Sequence, residues 1–252
     1  MKKHLPKSFL QSTAVATPCL LAVVLASNAS AASLLIVNPS FEADTPGSSG
    51  ASAVLGASGW TITSAGTSGN GDWFTTTAGL THSSIDPDAA AEGSNWLSGN
   101  RLAGGFGSTS DPATIVQLVD ISADSSLVDQ GTATVNLDFM FSDSDPADLG
   151  LVNITFYSDI AGTSELLGTS LTTGVITPTA ADGTGNAPWA ARSLSGAVPA
   201  TARSLQIEIV NDRTSGSAGN THFDAFTGSI IPEPSVALLG GLGLFSLLRR
   251  KR

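Results

Sequence analysis

The sequence predicts an all-β fold, an antiparallel β-sandwich, flanked by an apolar segment at each end. Three observations predict it. Apolar and polar residues alternate at period two in several short segments, the pattern of a strand with one buried and one wet face. No stretch between the two ends sustains apolar residues at i, i+3, i+4 and i+7, so amphipathic helices are not expected. The connections are clusters of Gly, Ser, Thr, Asn and Asp, such as Ala65–Gly71 and Ala180–Pro188, which read as turns and long loops.

The N-terminal segment has the order of a secretory leader. Lys2, Lys3 and Lys7 form a basic start, Ala14 to Ala26 an apolar stretch, and Ala29-Ser30-Ala31 a small-x-small site. Cleavage is expected before Ala32, so residues 1–31 are read as a signal peptide and left out of the fold.

Residues 32–230 then form one domain, long enough to bury a core of its own. Its first expected strands are Leu34–Val37, Trp60–Thr63, Asp72–Thr76 and Asn95–Ser98, followed by Thr114–Ile121. Thr132–Phe141 is the clearest, with Ala133, Val135, Leu137, Phe139 and Phe141 on one face and Thr134, Asn136, Asp138 and Met140 on the other. Leu151–Tyr157, Arg203–Val210 and His222–Ile230 complete the set. A parallel α/β alternation is excluded by the missing helices, and a β-helix by the missing short repeat. Residues 46–70, rich in Gly, Ser, Ala and Thr, read as a long loop around the Trp60 strand.

The C-terminal 22 residues are of another kind. Ile231-Pro232-Glu233-Pro234 precedes an apolar run from Ser235 to Leu248, which ends in Arg249-Arg250-Lys251-Arg252. Val236, Leu238, Leu239, Leu242, Phe245 and Leu247 suit hydrocarbon, whereas the four cations stay at the cytoplasmic surface. Fourteen helical residues reach about 21 Å, short of a hydrocarbon core about 30 Å thick, and Gly240, Gly241 and Gly243 weaken the helix. A transient membrane helix fits better than a lasting anchor. The Pro-Glu-Pro motif, apolar run and basic cluster of residues 231–252 resemble the PEP-CTERM sorting signal of bacterial surface proteins. The resemblance implies recognition of Pro232, Glu233, Pro234 and Arg249–Arg252 by an exosortase, a membrane-embedded processing enzyme with a catalytic cysteine.

Without the two ends, four arginines (Arg101, Arg192, Arg203, Arg213) face twenty carboxylates, a formal charge of −16. Such a surface repels nucleic acid and anionic lipid and favours solubility. The only cysteine, Cys19, lies in the leader, so the domain holds together without disulfides.

A series of short motifs runs through the domain. Leu35-Ile36-Val37-Asn38-Pro39-Ser40-Phe41-Glu42 opens it, Gly59-Trp60 follows, then Glu92-Gly93-Ser94-Asn95-Trp96-Leu97 and Ala113–Val119, and Thr221-His222-Phe223-Asp224-Ala225-Phe226 closes it. Together they resemble the galactose-binding-like jelly rolls, which include many carbohydrate-binding modules; residues 142–202 carry no matching motif. The resemblance implies a structural calcium ion between the first and last strands, at Glu42 and Asp224. Asp143-Ser144-Asp145-Pro146-Ala147-Asp148 is read as a polar turn, because Pro146 breaks the chelating pattern and no EF-hand glycine or terminal Glu follows.

Sugar binding calls for aromatic faces. Trp73 and Trp189 lie beside polar loop residues and are the expected platforms, while Trp60 and Trp96 sit in strand motifs and are expected in the core. Catalysis finds little support: His82 and His222 lack a Glu-x-x-His spacing, and no Gly-x-Ser-x-Gly elbow occurs. The expectation is a non-catalytic secreted protein of the cell envelope or extracellular matrix, associated with exopolysaccharide or biofilm. The alternatives are a carbohydrate-binding module using Trp73 and Trp189, and a glycoside hydrolase with paired carboxylates.

Overall fold

A computed structural model describes residues 31–48, 56–65, 73–80, 87–99, 112–143, 148–176, 189–213 and 221–233. They form a two-layer β-sandwich. The strands are β1 (Ala32–Ser33), β2 (Thr61–Ala65), β3 (Phe74–Thr77), β4 (Asn95–Ser98), β5 (Ala113–Asp120) and β6 (Ala133–Ser142). β7 (Asp148–Tyr157), β8 (Leu171–Thr172), β9 (Ala190–Ala197), β10 (Ser204–Arg213) and β11 (His222–Pro232) follow. One short helix, α1 (Ser125–Val128), connects β5 to β6. The first sheet runs β3-β4-β11-β6-β9, with β1 also on β11; the second runs β2-β5-β10-β7-β8. The strands pair antiparallel throughout.

The alternation read from the sequence sets the two inner faces. Val135, Leu137, Phe139 and Phe141 of β6 meet Val152, Ile154 and Phe156 of β7 and Leu205, Ile207 and Ile209 of β10 in one buried core. Fully burying each aliphatic or aromatic side chain is worth about 1.5–3 kcal/mol. Rings dominate one flank: Phe226 stacks on Phe139 at 5.3 Å, Phe41 meets Phe226 edge-on at 6.3 Å, and Trp60 lies 5.6 Å from Phe226.

Phe223 and Phe226 both belong to this core, yet they lie three positions apart, and a regular strand would place them on opposite faces. A register shift between Asp224 and Thr227 resolves the conflict. Ala225 takes φ +52°, the left-handed conformation, and acts as the extra residue of a bulge. Phe41 is also left-handed, at φ +59°. That conformation costs a bulky residue about 1–2 kcal/mol, and complete burial of its ring offsets the cost.

The structure adds to or departs from the sequence reading at three places. Leu34–Val37 is not a strand; the short pairing with β11 is made by Ala32 and Ser33, and Leu35 and Val37 are exposed. The backbone of Val37 is held instead by a side chain. Gln117 Oε1 accepts Val37 N–H at 2.7 Å, and its Nε2 donates to the carbonyls of Val37 (2.9 Å) and Gly59 (3.1 Å). Gly59 makes this approach possible, since a Cβ there would lie 2.5 Å from Val37 Cγ1. β9 falls in the stretch without motifs. Its Ala-Ala-Arg-Ser-Leu-Ser-Gly-Ala sequence has one large apolar residue and no visible alternation, because it is an edge strand paired only with β6. Finally, Asp143 and Asp148 are fully buried at the ends of β6 and β7 rather than solvated; residues 144–147 between them lie outside the described residues.

Both ends of the domain lie together. Ala32 pairs with Ile230, and Ser33 with Ser229, so the chain enters and leaves at one corner of the first sheet.

Candidate functional site

The motifs of the first and last strands converge on one turn, residues 91–95. Asp224 Oδ2 accepts the backbone N–H groups of Ala91 (2.8 Å) and Glu92 (2.9 Å), and its Oδ1 accepts Ala225 N–H (2.7 Å). Glu42 Oε1 accepts the N–H groups of Ser94 (2.8 Å) and Asn95 (2.6 Å). Gly93 lies between them at φ +69°, and a Cβ there would strike Glu42 Cδ at 2.6 Å. Asp224 is fully buried, and burial pushes its pKa up to about 7; the three amide donors and the nearby Glu92 charge act in opposite senses around that value.

This arrangement does not fit the calcium shell that the motif resemblance implies. Calcium takes six to eight oxygens at about 2.3–2.6 Å. Three of the four carboxylate oxygens here face N–H donors, whose partial positive charge opposes a cation. Among the described residues, no group of three or more His, Cys, Asp or Glu is placed to hold a metal ion.

The expected tryptophan platforms fare differently. Trp73 is fully buried and packs edge-on against Phe223 at 5.9 Å, so it presents no face to a ligand. The polar residues beside it in sequence hid a core position. Trp189 is half-buried; it meets Trp96 edge-on at 6.2 Å and donates its Nε1 to the Ala89 carbonyl at 2.8 Å. Trp60 is a core residue, as its strand motif suggested, whereas Trp96 is also buried but not part of the core between the sheets.

Trp189 marks how the outer face of the first sheet is divided. Cross-strand partners share a face. Leu97, Phe223 and Phe141 point inward; Trp96 opposite Thr76, Ser98 opposite His222, and His222 opposite Ser142 point outward. These outward residues are nonetheless buried, and Trp96 Nε1 and Thr76 Oγ1 have no hydrogen-bond partner. The other half of the face is open. There Glu92, Asp138, Met140, Ala191, Arg192, Ser193, Ala225 and Thr227 line a groove of about 430 Å³.

A larger cleft of about 700 Å³ opens at the seam between β2 and β3, lined by Asp44, Ser58, Trp60 and Thr75 among others. Its carboxylate is already committed to the fold. Asp44 accepts Asn38 Nδ2 (2.8 Å), Ser58 N–H (2.9 Å), the Ser58 hydroxyl and Thr75 Oγ1 (3.0 Å). The smaller groove differs in this respect. Glu92, Asp138, Ser193 and Thr227 are exposed and bring carboxylates and hydroxyls that the fold itself does not engage. With Met140 and Ala191 as apolar floor, that groove has the composition of a small-ligand site.

None of these groove residues was singled out by sequence. Asp138 was legible as an outward position of β6, and Glu92 as part of the Glu-Gly-Ser-Asn-Trp motif. Ser193 was not, because β9 was unread. Of the expected sorting residues, Pro232 and Glu233 are described; Pro234 and Arg249–Arg252 lie outside the described residues.

No family model matches the chain, and no curated protein matches it. Solved structures do. A cyclase from Fischerella sp. TAU superposes with a TM-score of 0.56 at 16% identity, over 82% of this chain and 100% of the other. A Stig cyclase from the same source, in complex with (3Z)-3-(1-methyl-2-pyrrolidinylidene)-3H-indole, gives 0.54 at 14% identity, over 81% and 100%. A carbohydrate-binding module in complex with beta-1,4-galactotriose also matches, at 15% identity over 78% and 96%, but its TM-score of 0.40 carries no argument. At these identities the likeness shows the fold alone. It still corrects one expectation. The sandwich was read as non-catalytic, whereas both of these cyclases, which superpose above 0.5, are enzymes, so this architecture does not exclude catalysis.

Proposed function

We propose that the chain is an exported envelope or matrix domain that binds a neutral, hydroxyl-rich ligand of carbohydrate type in the groove between Glu92, Asp138 and Ser193. The observation that carries this reading is the set of unengaged acceptors and hydroxyls on an open, partly apolar sheet face. Carboxylates accept hydrogen bonds from sugar hydroxyls, and charge-assisted bonds of this kind are the stronger ones. The same carboxylates, on a domain of formal charge −16, repel polyanions. The one aromatic residue among the described lining residues, Phe139, is buried in the core and offers no stacking face, so affinity is modest, with Kd on the order of 0.1–1 mM.

Export rests on the leader of residues 1–31 and the sorting signal of residues 231–252, with an exosortase-type enzyme and the inner membrane as transient partners. Among the described residues no helix is long and apolar enough to cross a membrane; both proposed signals lie largely outside them.

Two measurements test the proposal. Glycan-array screening followed by NMR titration should give weak binding to neutral glycans that Asp138→Ala abolishes. Binding only to acidic glycans, or binding indifferent to Asp138→Ala, would sink the groove reading. Intact mass of the protein recovered from the producing cells should show loss of residues 1–31 and of the C-terminal tail.

A second reading has its own support. Two carboxylates, Glu92 and Asp138, line one groove, as a glycoside hydrolase requires. Release of reducing ends from a bound glycan, lost in both Glu92→Gln and Asp138→Asn, would establish it; binding without any turnover would reject it.

A further inference from the structure

The last strand does not stop where the sorting motif begins. β11 continues to Pro232, which pairs with Ala133 of β6, and the next residue, Glu233, donates its N–H to the Thr132 carbonyl at 2.6 Å. Two of the three Pro-Glu-Pro residues are therefore held on the sheet. Upstream, the strand is firmly fixed: Ser229 and Ile230 are flanked by β1 on one side and β6 on the other, and Ile230 is fully buried. Among the described residues, Ile231 and Pro232 pair with Thr134 and Ala133 of β6.

The sequence leaves no slack beyond this point. Only Pro234 separates Glu233 from the apolar run that starts at Ser235, and one residue spans at most about 3.6 Å. An enzyme that cuts beside this motif must take an extended segment into its own cleft, with the backbone on that segment accessible. The folded sheet denies it the Glu233 amide and the β6-facing side of Pro232.

We propose that the folded domain masks its own sorting motif, so that processing after folding requires Ile231–Glu233 to peel away from β6. This inference rests on the sorting reading above. The peeled segment is short, and the ends of elements open at low cost, so the mask slows processing rather than forbidding it. The other expected cut, before Ala32, lies at the same corner, because Ala32 pairs with Ile230.

The test compares pulse-chase processing of the full chain in the producing cells with that of a variant carrying eight Gly/Ser residues between Ile231 and Pro232. Masking by one or two weak pairings predicts that the insertion speeds loss of the tail by roughly 5–30-fold. Equal rates overturn the mask and leave the sorting reading standing. Absence of processing in both chains overturns the sorting reading itself. Hydrogen exchange on the purified full chain gives an independent readout: the Glu233 amide should be protected, and exchange at the unstructured-chain rate would overturn the mask even if the inserted variant folds poorly.

Discussion

Asp224 and Glu42 grip opposite ends of the same five-residue turn, one from the last strand and one from the opening motif. Asp224 holds the amides of Ala91 and Glu92, and Glu42 holds those of Ser94 and Asn95. In a domain without disulfides, this pair ties both ends of the chain to its middle.

Removing the two carboxylates should have unequal effects. Asp224→Ala leaves three N–H groups around a buried position without an acceptor, at a cost of about 3–5 kcal/mol. Glu42 is exposed, and water replaces it in part, so Glu42→Ala should cost about 1–2 kcal/mol. Urea unfolding of the two variants checks the order; equal losses would contradict it.

The raised pKa of Asp224 gives stability a pH dependence of defined sign. The folded state holds the proton up to about pH 7, whereas the unfolded chain releases it near the ordinary aspartate value of 3.8. The folded state therefore binds more protons in that window, and this group's contribution is full below about pH 4 and lost as pH rises through about 7. The change is on the order of 2–4 kcal/mol. Asp224→Asn should flatten this part of the stability-against-pH curve, read by thermal unfolding from pH 4 to 8. An unchanged slope would remove Asp224 as its source.

Gly93→Ala tests the turn between the two carboxylates. The substitution places a Cβ at a positive φ and against the Glu42 carboxyl group. It should destabilise by about 1–3 kcal/mol, and combining it with Glu42→Ala should cost less than the sum of the single changes. Additive costs would show that the clash is not with Glu42.

Chelation addresses the metal. With N–H donors on three of the four carboxylate oxygens, removal of calcium should leave the melting temperature unchanged. A clear drop in chelator, restored by calcium, would require a shell that displaces these amides.

Trp189→Ala should loosen the covered half of the outer face. It removes the ring contact with Trp96, about 0.5–1.5 kcal/mol beyond area, and the hydrogen bond to Ala89, about 1 kcal/mol. Increased quenching of Trp96 fluorescence by acrylamide should accompany a modest loss of stability. Unaltered quenching would mean that Trp189 does not cover it.

The central strands were legible because both chemical faces were written in sequence: Val135, Leu137, Phe139 and Phe141 of β6, and Val152, Ile154 and Phe156 of β7, alternate with the residues of the wet face. β9 was not, since an edge strand of Ala, Ser and Gly carries no period. The opening motif was placed correctly beside the last strand, but its residues 34–37 were misread as a strand, because the partner of Val37 is the Gln117 side chain and not a backbone. Trp73 shows the limit for sites. Its loop-like neighbours suggested exposure, yet only the pairing of β3 with β4 reveals where the ring points. The groove depends on residues from β6, β9, β11 and the turn at Glu92, a convergence that no local pattern records.

The adjacency of Ala32 and Ile230 makes the sandwich almost a closed loop. A short linker joining these two residues would allow new ends to be opened at a surface turn, such as the one at Gly131, without altering the strand neighbours. A permuted chain of that kind keeps its architecture while its beginning and end move to another corner, which separates the way the domain folds from the order in which its strands are synthesised.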